Sequence, residues 1–339
     1  MKAIIPVAGA GTKLRPLTYT QPKALIPLAG RTLLSIIVDQ LVEAGVEEFV
    51  FVTGYLGDKI QDYVDHQYPQ LQRSYINQAD RRGIGHAVWL AREAVDLGEE
   101  VVIVLGDTVA EYDVRAMLAA PVSQVAVRKV DDPRLFGVAE LGTMDRVLRV
   151  VEKPLIPRSN MALVGVYYIR ESDDLFAALD AEVARLPEDG VAECSLTEAL
   201  QTLIESGVEL HAFRVDNWYD CGRKESLLAT NAVLLRKMAE ERRFPTPLCE
   251  LAARFPDVVI VPPVHIAAGC SFQHAIIGPN VSVGENTRIS RAIVRDSIIG
   301  SYAEINDIDL HSSIVGNDAF VRGTSQSLNI GDNTEIDLR

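Results

Sequence analysis

The 339-residue chain has no Cys-x-x-Cys pair. Cys194, Cys221, Cys249 and Cys270 stand far apart, which excludes a zinc ribbon or a thioredoxin-type motif and reads as free thiols of a reducing compartment. No run of about 18 apolar residues occurs, so no membrane-spanning helix is expected. The first ten residues are apolar after Lys2, but Gly11-Thr12-Lys13 ends the run too early for the apolar core of a signal peptide. The protein is therefore expected in the cytoplasm, without a membrane partner. A basic surplus is also missing. The 33 Lys and Arg residues face 47 Asp and Glu residues, a formal charge of −14. A chain of that sign repels phosphate backbones on average, so nucleic acid is not an expected partner. Any phosphate site must be a local concentration of cations.

What is present is ordinary globular material, 48% hydrophobic and 24% charged. It is long enough for about two domains with cores that need no disulfides. Residues 3–8 read as a buried strand, and 33–46 as a helix with Leu33, Leu34, Ile37, Leu41 and Val42 on one face, closed by Gly45. Strands are expected at 48–53, 74–77 and 101–106, with helices at 58–68 and 83–95. This alternation predicts an α/β domain with a mostly parallel sheet covered on both faces. Residues 124–129, 137–141 and 146–152 read as antiparallel strands, followed by a strand at 163–169. Helices at 173–185 and 195–205, a strand at 210–215 and a long amphipathic helix at 224–243 complete the pattern.

The character changes after that helix. Phe244-Pro245-Thr246-Pro247 signals a linker. From about residue 258 the helical period is gone, and short apolar pairs recur before glycine: Ile276-Ile277-Gly278, Ile298-Ile299-Gly300, Ile314-Val315-Gly316 and Asn329-Ile330-Gly331. Ile277, Val283 and Ile289 stand six apart. Hexads with small and polar residues between them predict a short parallel β-helix. The expected division is 1–240, a linker at 241–257 and a β-helix at 258–339.

The densest chemical signal is VAGAGTKLRPLTYTQPKALIPL, residues 7–28. Gly9 and Gly11 follow a strand, but Leu14 replaces the third glycine of the dinucleotide fingerprint. Gly-Thr-Lys also inverts the Gly-Lys-Thr of the ATPase loop. The glycines still let backbone N–H groups approach a polyanion, and Lys13, Arg15 and Lys23 place three cations within a short stretch of an acidic chain. Asp107 follows the buried strand VVIVLG, where ligands bind in open α/β sheets. Gln78 closes another strand ahead of Gly83-Ile84-Gly85-His86. Its amide offers a donor and an acceptor, as the edge of uracil or thymine does. His86 is expected to pack at the helix start.

The whole string resembles the signature of the sugar-phosphate nucleotidyltransferases, GxGTRLxPLT followed by PK. It stands here as Gly9-Ala10-Gly11-Thr12-Lys13-Leu14-Arg15-Pro16-Leu17-Thr18 and Pro22-Lys23, with Lys13 in place of the usual arginine. The resemblance runs through residues 1–240. It implies a Rossmann-like nucleotidyltransferase domain, in the long form followed by a short left-handed parallel β-helix of hexad repeats. It further implies that Lys13 and Lys23 grip the nucleotide phosphates, that Lys13 and Arg15 stabilise the departing pyrophosphate, and that Ala8, Gly9, Gly11, Gln78 and Gly83 hold the nucleotide. Members that take guanine usually lack a glutamine at the Gln78 position, which favours a pyrimidine. Glu152-Lys153-Pro154 matches the family's EKP motif, and Gly137, Glu152, Lys153, Asn160 and Val164 are implied at the sugar phosphate. Asp107 and Asp220 are implied as ligands of Mg²⁺, a cation that prefers oxygen and keeps several waters. Asp220 lies in Trp218-Tyr219-Asp220-Cys221-Gly222, where Arg223 departs from the family's threonine.

The implied reaction joins a nucleoside triphosphate, dTTP or UTP, to a sugar-1-phosphate, with glucose-1-phosphate first among the sugars, and releases pyrophosphate. Three alternatives stand beside it. The β-helix could carry an acyltransferase that uses His265, His274 or His311 as base. The substrates could instead be GTP and mannose-1-phosphate. A regulatory subunit is the third reading, though such proteins usually lose the metal ligands or phosphate lysines kept here. The exposed faces of a short coil predict a homo-oligomer.

Overall fold

The structure is a computed structural model and describes residues 1–187, 192–241, 243–244 and 248–323. The chain divides into two compact units, Met1–Thr230 and Asn231–Arg339. The first runs β1 (Lys2–Pro6), β2 (Pro27–Leu28), β3 (Arg31–Thr32), α1 (Leu33–Glu43), β4 (Glu48–Thr53), α2 (Gly57–Gln67), β5 (Gln72–Asn77), α3 (Gly83–Leu90), β6 (Val101–Val104), β7 (Thr108–Glu111) and α4 (Val114–Leu118). It continues through β8 (Ser123–Lys129), β9 (Gly137–Leu141), β10 (Val147–Glu152), β11 (Met161–Ile169), α5 (Ser172–Ala184), α6 (Leu196–Glu205), β12 (Leu210–Arg214), β13 (Asn217–Asp220) and the start of α7 (Lys224–Glu240).

The main sheet has the order β10-β9-β11-β6-β1-β4-β5. Its β6, β1, β4 and β5 members are parallel neighbours, with Ile4 opposite both Val50 and Ile103. The expected four-fold strand–helix alternation is therefore present. β11 enters antiparallel to β6, and β8 pairs antiparallel with β11 and parallel with β12.

Period-two burial on two covered faces explains why the central strands are apolar throughout. Ile4, Val50, Val52, Val101 and Ile103 join one core cluster with Ala87 and Val88 of α3, Leu175 of α5 and Leu200 of α6. Ala3, Ile5, Phe49, Phe51, Val102 and Val104 join the other with Leu34, Ile37 and Leu41 of α1 and Ile60 of α2. α1 starts on a capping box, in which Thr32 Oγ1 accepts from Ser35 N and Thr32 N donates to Ser35 Oγ.

One pairing that bears on the site is absent from the sequence reading. β7 and β13 form a separate antiparallel ribbon in which Thr108 faces Asp220. Neither segment alternates well enough to announce a strand, and they are far apart in sequence. This ribbon joins the segments that carry Asp107 and Asp220.

In the second unit, α8 (Leu248–Arg254) occupies part of the segment read as a linker. The strands that follow are β14 (Val259–Ile260), β15 (Val264–Ile266), β16 (Ser271–Gln273), β17 (Ile276–Ile277), β18 (Val281–Val283), β19 (Arg288–Arg295), β20 (Ile298–Ile299), β21 (Glu304–His311), β22 (Ile314–Val315) and β23 (Phe320–Arg322). All pair in parallel with the strand one coil away. This is a parallel β-helix. Ile277, Val283 and Ile289 fall on β17, β18 and β19, three successive sides of one coil.

The coil is shorter than three full hexads. Partners stand 17 apart at first, as in Val264↔Val281, and 16 apart later, as in Ile298↔Ile314. The Ile-Ile-Gly units are accordingly not equivalent. Ile276-Ile277 pairs with Ile293-Val294 on one side, whereas Ile298-Ile299 pairs with Ile314-Val315 on another. Asn329-Ile330-Gly331 lies outside the described residues. Corner residues take positive φ at one-coil intervals: Asn280, Asp296 and Ser312 form one row, and Asn286, Tyr302 and Asp318 another. Most are Asn or Asp, which tolerate the left-handed region best after glycine.

Inside the coil Ile277, Val294 and Ile305 are fully buried. Ile305→Ala is expected to cost about 2–5 kcal/mol, read as a lower denaturant midpoint for this unit. A cost under about 1 kcal/mol would mean that the coil closes over the gap.

Candidate active site

The loops that build the site leave the carboxyl ends of β1, β5 and β6, where open α/β sheets bind ligands. After β1 the signature segment does not form a long helix. It breaks into three short 3₁₀ turns, Thr12–Leu14, Leu17–Tyr19 and Lys23–Leu25. Gly11 enters the first with φ +59°, and its carbonyl accepts from Thr18 Oγ1 at 2.8 Å. The last turn delivers Lys23, whose Nζ lies 2.5 Å from Asp107 Oδ2.

Two cavities meet at Asp107. The first, of about 280 Å³, is lined by Ala8, Gly9, Lys23, Gln78, Gly83 and Asp107 among others. Gly9 is exposed, with open space where a side chain would stand, so its backbone is free to approach a ligand. Gln78 is 5% exposed, and its Nε2 donates to Gly83 O at 3.1 Å and meets His86 Nδ1 at 3.1 Å. Arg81 also lines this cavity.

The second cavity, of about 520 Å³, takes Lys13, Gly137, Glu152, Lys153, Val164 and Asp220 into its wall together with Asp107. Thr197 Oγ1 donates to Glu152 Oε2 at 2.8 Å, and Lys153 Nζ lies 3.2 Å from Glu152 Oε1. The glutamate is thereby held between a hydroxyl and a cation. A Cβ on Gly137 would stand 3.0 Å from Glu152 Oε2 and 3.1 Å from Thr197 Oγ1, so glycine makes room for that pair. Trp218 lines the same wall. It packs edge-on against Phe136 at 4.8 Å, and its indole N–H is buried without a partner among the described residues.

The β7–β13 ribbon sets the two aspartates together. Cys221 N donates to Asp107 O at 3.3 Å, and Asp220 Oδ1 accepts from Gly222 N at 3.1 Å. No group of three or more His, Cys, Asp or Glu side chains able to hold a metal occurs among the described residues. Two carboxylates facing an open cavity suit a cation that keeps several waters and takes its remaining ligands from substrate phosphates. They do not suit a closed structural site.

Burial pushes the Cys221 thiol up to about 12 and the Cys194 thiol up to about 11, so neither is a nucleophile at neutral pH. Cys270 is free as well. Burial, then the neighbouring Glu182, raises the Glu198 carboxyl on the rim of the second cavity. Burial, then Arg82, lowers the His86 imidazole. No helix of the described residues is long and apolar enough to cross a membrane.

The fold and the site together define a nucleotidyl-transfer enzyme. The sequence profile of the Nucleotidyl transferase family matches residues 2–237. A glucose-1-phosphate thymidylyltransferase of Streptomyces griseus is 32% identical over 335 residues, covering 93% of this chain and 92% of that protein. The bifunctional protein GlmU of Methanococcus maripaludis is 34% identical over 241 residues, covering 70% of this chain and 55% of that protein. Among solved structures, a candidate glucose-1-phosphate thymidylyltransferase of Bacillus anthracis in complex with a sucrose aligns with a TM-score of 0.60 at 26% identity, over 69% of this chain and 94% of that one. The chain belongs to the Nucleotidyl transferase family.

Of the residues expected at the site, Ala8, Gly9, Lys23, Gln78, Gly83 and Asp107 line the first cavity. Lys13, Gly137, Glu152, Lys153, Val164 and Asp220 line the second. Gly11 shapes the turn behind them. Arg15 and Asn160 line neither cavity. Arg15 lies 5.0 Å over the Tyr19 ring, and Asn160 is exposed, with its backbone carbonyl accepting from Val130 N. Sequence reasoning missed Arg81, Thr197 and the link from His86 to Gln78. Trp218 could have been found, since it heads the same motif as Asp220. Thr197 sits inside a helix and gives no local signal.

Proposed function

We propose that the protein condenses a uracil or thymine nucleoside triphosphate with a sugar-1-phosphate, glucose-1-phosphate first, giving a nucleotide sugar and pyrophosphate. The observation that carries this reading is the shared wall of the two cavities. Asp107, Ile84, Leu105 and Glu193 line both, so two ligands can be held with Asp107 between them. The first cavity takes the nucleotide, its base against Gln78 and its phosphates against the Gly9 backbone and Lys23. The second takes the sugar phosphate, its hydroxyls toward Glu152 and its phosphate toward Lys153.

Mg²⁺ on Asp107 and Asp220 would neutralise phosphate charge between the two reactants. The chain's own part is to bring two anions into line and stabilise the charge on both. Lys23 serves the nucleotide side and Lys153 the sugar side. Lys13 lines the second cavity and not the first, which supports charge on the sugar-phosphate side in place of the nucleotide-phosphate role that the resemblance implies. The attacking sugar phosphate is already ionised at neutral pH, because its second pKa is near 6. No general base is therefore required.

The three histidines named for an acyltransferase stand at separate places in the β-helix. His265 lies on β15, His274 at a corner with φ +49° beside Asp257, and His311 at the end of β21.

Pyrophosphate release with Mg²⁺ tests the proposal, crossing dTTP, UTP, GTP, CTP and ATP against glucose-, mannose-, galactose- and N-acetylglucosamine-1-phosphate. Turnover is expected with dTTP or UTP and a hexose-1-phosphate. A preference for GTP with mannose-1-phosphate would overturn the assignment of the base pocket.

A further inference from the structure

We infer that His86 is a positioning residue that fixes the amide of Gln78 in one orientation and so makes the nucleotide cavity select bases with an imide N–H. This rests on the proposed function of the same cavity.

The argument starts from hydrogen-bond capacity. A Gln side chain has two N–H donors and one carbonyl acceptor. Gln78 Nε2 faces two partners. Gly83 O, at 3.1 Å, is a backbone carbonyl and can only accept. That partner favours nitrogen at this end of the amide, since a carbonyl turned there would set two acceptors against each other, but it engages only one of the two N–H groups. The second N–H meets His86 Nδ1, also at 3.1 Å. With both donors turned into the protein, the carbonyl is the atom of Gln78 left to the cavity it lines.

A carbonyl there accepts from N3–H of uracil or thymine. Cytosine presents a bare N3 lone pair at the same place, so acceptor would face acceptor. A site whose buried polar group is left unpaired by the wrong ligand discriminates far better than one that merely lacks room. The arrangement requires His86 Nδ1 to carry a lone pair. Burial and the nearby Arg82 disfavour the imidazolium. The ring is also held flat against Trp89, at 5.5 Å and 21°. Without an acceptor at this point, one Gln78 N–H would be buried and unpaired, and rotation of the amide would turn its carbonyl away from the base.

His86→Phe keeps the stacking on Trp89 and removes the acceptor. His86→Asn restores an acceptor, because Asn Oδ1 reaches close to the place of His Nδ1. The readout is the ratio of kcat/KM for UTP over CTP with one sugar-1-phosphate, each variant first checked by thermal melting. The wild-type ratio is expected at about 100-fold or more. It should fall at least 10-fold in His86→Phe, through KM for UTP more than kcat, and stay within about 3-fold of wild type in His86→Asn. Should the Phe variant not fold, His86→Leu takes its place.

An unchanged ratio in the variant without an acceptor overturns the inference. So does an equal loss in His86→Asn, which would mark His86 as structural only. A wild-type enzyme that uses CTP as well as UTP overturns the reading of the base pocket itself, and this is visible before any variant is made.

Discussion

Asp107→Asn is expected to lower turnover by about 100- to 1,000-fold, the scale seen when one preorganised electrostatic contact is lost at a reacting charge. The exchange keeps size and removes charge. It acts on two things at once. The carboxylate is half of the oxygen pair that the β7–β13 ribbon assembles, and it is the ion partner of Lys23 at 2.5 Å. The side chain is 43% exposed, so the fold should tolerate the change and the melting temperature should move little. Raising Mg²⁺ should recover part of the rate, because a weakened ligand set lowers affinity before it abolishes chemistry. Near-normal turnover at moderate Mg²⁺ would sink the metal assignment.

Gly83→Ala is expected to reach both stability and substrate binding. Gly83 has φ +90°, a conformation that costs an L-residue about 1–3 kcal/mol. A Cβ there would stand 2.6 Å from Cys194 O, and that neighbour is backbone. Cys194 cannot retreat easily, because its N–H donates to Arg82 O at 2.7 Å and its carbonyl accepts from Gly85 N at 3.0 Å. Strain and overlap together should cost about 3 kcal/mol. Displacing Gly83 also moves the carbonyl that accepts from Gln78, so KM for the nucleotide should rise about 10-fold. A melting temperature and KM both equal to wild type would show that the start of α3 and the 193–195 segment are not locked together.

Much of this was readable before any coordinates. Parallel strands buried on both faces must be apolar at every position, and residues 3–8 and 101–106 are. Asp107 could be placed because a strand's end is fixed by its run. The amide of Gln78 was readable as a base reader but not its orientation, which depends on Gly83 and His86 at the start of α3; with both N–H groups engaged there, the donor that the sequence reading also offered to the base is taken up inside the protein. Lys13 and Lys23 look alike in sequence. Only the three 3₁₀ turns between and around them send one to each cavity. The β7–β13 ribbon was not readable, because a two-stranded pairing across more than a hundred residues leaves no local period. In the β-helix the apolar hexads were visible, yet the coil lost one or two residues at its corners. Recurring Ile-Ile-Gly units therefore belong to different sides.

Those corners also govern how the coil can change in length. A coil can hold 17 residues or 16 and keep its corners in their left-handed rows, as this chain does. An inserted or deleted block of 16 or 17 residues would leave each remaining side in register. The β-helix can thus lengthen or shorten by whole coils, each repeating the same three sides.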